Sequence, residues 1–124
     1  MITEDYVSLK VAKLLKEKGF NEKCIGYYPR GENTEVNHSF LYERNSDWID
    51  NSISAPTHQM AMKWLREVHK ILVVVGIKKE DKREYRYSIK SIRNNDIIGI
   101  SDRRYIHYEE AVEAALKYCL TNLI

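Results

Sequence analysis

Four histidines, two cysteines and a pair of aspartates flanking a tryptophan are the side chains of this 124-residue sequence best suited to hold a metal or attack a bond. His38, His58, His69 and His107 fall in separate stretches and form no HExxH pair or other ligand spacing, so no metal site is expected. His69, beside an apolar run, reads as a helix-end cation or a hydrogen-bonded boundary residue. Cys24 and Cys119 belong to no CxxC pair, which argues against zinc and a disulfide framework. They read as small buried hydrophobes, reduced and unbonded. Asp47 and Asp50 flank Trp48, and two carboxyl groups beside a sugar-stacking ring are what glycoside hydrolysis would need. Loop solvation explains the acids more simply, and the tryptophan serves as a loop anchor. No GxSxG, glycine-rich phosphate loop or Cys-His signature occurs. The chain is therefore expected not to be an enzyme and to carry no catalytic residue, cofactor or metal.

The remaining chemistry is that of surfaces. Net charge is only +2, but residues 1–55 carry 7 basic and 9 acidic side chains, residues 56–104 carry 12 and 6, and residues 105–124 carry 1 and 3. The basic excess of the middle third offers a surface for nucleic acid or another acidic partner, formed by Arg86, Lys90, Arg93, Arg103 and Arg104 within residues 78–104. Nine tyrosines invite the same reading, since aromatic rings on strands stack bases. Alternation opposes it: Tyr85 and Tyr87 point away from Arg86 and Lys90, so the stacking face is not the phosphate-neutralising face. Tyrosines in the core or at its rim, with basic residues in water, are the simpler reading.

At this length, with 44% hydrophobic and 31% charged residues, a single domain spanning residues 1–124 is expected. Val7, Val11, Leu14 and Leu15 make one helical stripe, giving a helix from about Thr3 to Lys18 that Gly19 stops and Phe20 packs back upon. Cys24–Tyr28 and Val36–Glu43 read as strands about a Pro29-Arg30-Gly31 turn, with Phe40 and Tyr42 on one side and Leu41 and Glu43 on the other. Residues 45–55 read as a loop pinned by Trp48, Ile49 and Ile53. A second helix starts at Pro56-Thr57 with Ala61, Trp64, Leu65 and Val68 on one face.

Ile71–Ile77 is a β-branched strand, residues 78–83 a charged turn, and Glu84–Ile92 a returning strand. Ile97–Ile100 adds a short edge strand or docks as a loop. The last helix begins near His107 or Tyr108, carries Val112, Ala115, Leu116, Cys119 and Leu123 at helical spacing, and runs to the end. The order α-ββ-α-ββ-α predicts an α+β fold: one antiparallel sheet of four or five strands packed with three helices. Ala61-Met62-Lys63-Trp64 echoes Ala115-Leu116-Lys117-Tyr118, which suggests two ββα units.

In the strand 71–77, Leu72, Val74 and Gly76 alternate to the face that helices on one side would leave bare. Internal covering, by a helix or by the 45–55 loop, is favoured over a second subunit because Arg86, Ser88 and Lys90 make that face partly polar. A monomer is thus favoured over a homodimer. The amino terminus lacks an apolar signal core and no apolar run is long enough for a bilayer, so no membrane association and a cytoplasmic location are expected.

Val7–Asn21 (VSLKVAKLLKEKGFN), Cys24 with Tyr27 and Tyr28, Ala55–Ile71 (APTHQMAMKWLREVHKI) and Tyr108–Leu116 (YEEAVEAAL) resemble the successive signatures of a family of small uncharacterised proteins. That family is abundant in phages, prophages and mobile elements of gut Bacteroidetes. The resemblance covers nearly the whole chain and departs at His58, where the motif carries Gln. It implies a bacterial or phage origin and an accessory role toward a host protein or nucleic acid, and it implies no activity. A non-enzymatic protein-interaction module is the leading expectation, and a nucleic-acid-binding accessory protein the alternative.

Overall fold

The computed structural model describes residues 2–78 and 81–124, apart from the side chains of residue 78 and residues 81–83. It divides into two compact units, residues 1–61 and 62–124. The α+β class holds, but the strands form two antiparallel three-stranded sheets where one sheet of four or five was expected.

In the first unit, α1 (Leu9–Glu17) buries Val11, Ala12 and Leu15. It starts later than the periodicity suggests. Val7 is buried in extended backbone, its amide donating to the Pro56 carbonyl at 3.0 Å, and Tyr6 bridges Thr57. These contacts hold residues 6 and 7 out of the helix. Ser8 then opens the helix, its hydroxyl accepting the Val11 amide at 3.2 Å. The stop is as expected: Gly19 has φ +93°, its amide reaches the Lys16 carbonyl, and the Phe20 amide reaches the Leu15 carbonyl at 2.8 Å. That is a Schellman close, with the Phe20 ring fully buried.

β1 (Cys24–Tyr28) is the middle strand, with β2 (Asn37–Glu43) on one edge and β3 (Ile53–Ser54) on the other. β3 comes from the stretch read as a loop. Asn45 anchors it: its side-chain amide donates to the Phe20 carbonyl at 2.8 Å, and its oxygen accepts the Ser54 amide at 2.9 Å. Between Gly26↔His38 and Cys24↔Glu43, β2 advances five residues while β1 advances two. The surplus leaves the ladder, so the expected alternation fails and Phe40, Leu41 and Tyr42 are all exposed.

α2 (His58–His69) opens at Thr57, whose hydroxyl accepts the Met60 amide at 3.2 Å. Thr57→Ala is expected to cost about 1 kcal/mol, read from denaturant midpoints, whereas Thr57→Ser should retain most of the stability. Ala61, Trp64 and Leu65 are buried as expected and Met62 joins them, but Val68 in the last turn is half exposed. Burial ends before the helix does. Left-handed Lys70 (φ +57°) then turns the chain directly into a strand.

In the second unit β4 (Ile71–Lys78), β5 (Asp81–Ser91) and β6 (Ile97–Ile100) lie in that order, so the stretch 97–100 is the short edge strand. β4 and β5 pair as far as Lys78↔Asp81; the tip of the expected charged turn, residues 79–80, lies outside the described residues. α3 (Tyr108–Tyr118) begins after His107 and packs on β4 and β5, burying Ala111, Val112, Ala115 and Leu116. A π turn, residues 119–123, continues it. The first sheet places its first strand in the middle and the second sheet its second strand, so the two are not strand-for-strand copies.

Candidate functional site

The registers of the second sheet fix what its two faces carry. Ile71, Val73, Tyr87 and Ile89 are buried beneath α3. The opposite face is built from rows of directly paired residues, whose side chains share a side. One row is Leu72, Lys90 and Ile97, and the next is Val74, Ser88 and Ile100; Gly76 faces Arg86 beyond them. Val74 is 44%, Ile97 62% and Ile100 67% exposed. A bulge at Ile98 lets Ile97 and Ile100 share this face while Gly99 turns inward under Tyr118 and Ile89. Val74 is open on this face, whereas Leu72 is half-buried.

An antiparallel sheet that only faces water carries polar residues outward. In the two rows that run from Leu72 and Val74 the polar residues lie on the central strand and the aliphatic residues on both edge strands. No carboxylate among the described residues pairs with Arg86 or Lys90. The Arg86 Nε is shielded from solvent and has no hydrogen-bond partner among them. A Cβ at Gly76 would meet none of the described atoms within 4 Å, which leaves a notch among the described residues beside that arginine.

The five basic residues singled out from sequence lie on β5 and in the segments that follow β5 and β6. Arg86 and Lys90 share the open face. Arg93 stands exposed in the turn after β5, close behind Lys90 in sequence. Arg103 lies over the Tyr105 ring at 4.9 Å, and Arg104 reaches Glu84 at 3.5 Å, in the segment that follows β6. The tyrosines lie elsewhere: Tyr87 and Tyr105 are buried, and Tyr85 stands edge-on to Tyr108 of α3. Burial pushes the Tyr87 hydroxyl up to about 12.

The other chemical candidates resolve into local structure. Asp47 accepts the Arg44 amide at 2.8 Å, Asp50 accepts the Ser52 amide at 3.1 Å, and the Ser52 contacts hold the Asp50 carboxyl below its ordinary value. Trp48 lies on Tyr27 and donates from Nε1 to the Ser54 hydroxyl. His38 meets the edge of Tyr6, and His58 is buried at the start of α2. His69, expected as a helix-end cation or a hydrogen-bonded boundary residue, lies in the last turn of α2 against Trp64 at 4.7 Å; burial lowers its pKa, and Nε2 has no hydrogen-bond partner among the described residues. No group of three or more His, Cys, Asp or Glu among the described residues is placed to hold a metal ion. No described helix is long and apolar enough to cross a membrane.

Cys24 and Cys119 are free and buried, which raises both thiols, Cys119 to about 12. Two thiols should titrate with a disulfide reagent in denaturant without reductant, and neither should react quickly in the native protein at pH 8. A single pair lost to a disulfide, or fast native labelling, would contradict this.

The sequence pointed to Leu72, Val74, Arg86 and Lys90 but missed Ile97 and Ile100 as the other margin of the face. The signal was the spacing Ile-Ile-Gly-Ile, in which a glycine marks close approach to a packed helix. No family model matches the chain, and neither a curated protein nor a solved structure is found similar to it.

Proposed function

We propose that this chain is a non-enzymatic protein-interaction module that docks its partner on the open face of β4, β5 and β6. The observation that carries the reading is the exposure of Val74, Ile97 and Ile100 across one sheet face around Arg86 and Lys90, which have no carboxylate partner among the described residues. Exposed aliphatic residues on both edges of one sheet face, beyond what a solvated sheet carries, are the kind of apolar surface that marks an interaction site. The fully exposed Phe40 of β2 and Ile49 add apolar surface in the first unit. The resemblance to proteins of phages and mobile elements directs the search for the partner to a bacterial host, in its cytoplasm.

Immobilised protein should capture a host protein that Val74→Ser/Ile100→Ser fails to retain, while the variant melts like the parent. The nucleic-acid alternative makes the opposite forecast. Labelled DNA or RNA would be shifted by the chain, the shift would fall steeply with salt, and the serine pair would leave it unchanged.

A further inference from the structure

Resting on that docking reading, we infer that the occupant of the open face is an acidic amphipathic helix of a partner protein, with two carboxylates about two turns apart. Charge complementarity selects the acid. Arg86 and Lys90 are two of the cations of the central strand, neither has a carboxylate partner among the described residues, and Glu84 on the same strand is already engaged by Arg104. Four residues apart on one strand, their Cα atoms are separated by about 13 Å. Side chains eight positions apart on a helix are separated by about 12 Å along its axis. A helix laid along β5 therefore sets one carboxylate over each cation.

The flanks select amphipathic over merely acidic. Leu72 and Val74 on β4 and Ile97 and Ile100 on β6 form two aliphatic margins on either side of the charged strand. Between its acids such a helix would present leucine-like side chains to both margins, as anchors of a helix in an apolar groove do. Gly76, paired with Arg86 and with no described atom within 4 Å of a Cβ placed there, leaves room for a partner side chain next to that residue. Helices are also the elements that cover sheet faces in layered folds, and α3 already covers the other side of this sheet. Nucleic acid fits less well, because no aromatic ring lies on these rows and the tyrosines of β5 face α3.

The test uses the full chain with four probes: a 20-residue helical peptide with Leu stripes and Glu at i and i+8, its Lys counterpart, its proline-broken counterpart, and a single-stranded DNA 20-mer. Binding is read by fluorescence anisotropy against the parent, Arg86→Glu/Lys90→Glu and Val74→Ser/Ile100→Ser, each confirmed folded by circular dichroism. The acidic helix is expected to bind in the micromolar range. Both double variants should weaken it at least tenfold, and the charge-reversed protein should prefer the Lys peptide. Equal binding of the Glu and Lys peptides, lost only in the serine variant, would overturn the acidic helix and keep the docking surface. Equal binding of the proline-broken peptide would overturn the helix. Binding of no probe would overturn the acidic helix, and binding of DNA alone would overturn the inference and the docking reading together.

Discussion

Replacing Trp64 with alanine should lower the stability of the chain by about 3–5 kcal/mol, the range for removing a large aromatic side chain from a packed interior. The ring is only 7% exposed, in the middle of the buried face of α2, and stands edge-on to His69 at a centroid distance of 4.7 Å. Truncation removes apolar area, leaves a cavity and strips the histidine of its aromatic neighbour. Trp64→Phe, which keeps most of the volume, should cost markedly less. Chemical denaturation of the two variants against the parent checks the order. A Trp64→Ala protein that unfolds at the parental midpoint would remove this side chain from the core.

Gly26→Ala comes second, at about 2–3 kcal/mol, the upper part of the usual overpacking range. A Cβ at this position would sit 2.6 Å from the Ala55 carbonyl oxygen and 2.8 Å from the Tyr6 ring. Neither obstacle moves freely. The Ala55 amide is bonded to the Gly26 carbonyl at 2.8 Å, and Tyr6 is held by its bridge to Thr57. Relief would require β1 and the segment after β3 to part. Gly76 supplies the internal control. It also lies in a strand, yet a Cβ there meets nothing within 4 Å, so Gly76→Ala should be neutral or stabilise by about 0.5 kcal/mol. Equal thermal shifts for the two substitutions would contradict the packing described at Gly26.

The contrast between these glycines shows where the sequence was legible. Hydrophobic periodicity located α2, α3 and β4, and the Gly19-Phe20 pair located the end of α1, because each is a local signal decided by neighbouring side chains. The start of α1 was misplaced because distant residues, Pro56 and Thr57, capture the backbone of Tyr6 and Val7. β3 was missed for the same reason. Its two residues pair only because Asn45, nine residues earlier, offers an oxygen to Ser54, and a polar stretch gives no sign of such a bond. The single expected sheet became two because each hairpin recruited a short strand from a stretch with weak or ambiguous pattern. At the candidate surface, alternation placed Arg86 and Lys90 opposite the tyrosines as found. The contribution of β6 depended on a bulge, which shifts facing by one residue and is invisible to a period of two.

On the proposed reading, the face bearing Val74 and Ile100 is open in the free chain and docks a partner. Thiol labelling tests it directly, because the native cysteines are buried and provide a silent background. Val74→Cys and Ile100→Cys proteins, compared over a hundredfold range of protein concentration, should each react with a maleimide dye at a rate close to that of an unfolded thiol. That rate should not change with concentration. Slow labelling at both positions at every concentration would mean that the chain covers its own sheet, and slowing that grows with concentration would mean that a second copy does. Either result would contradict the account.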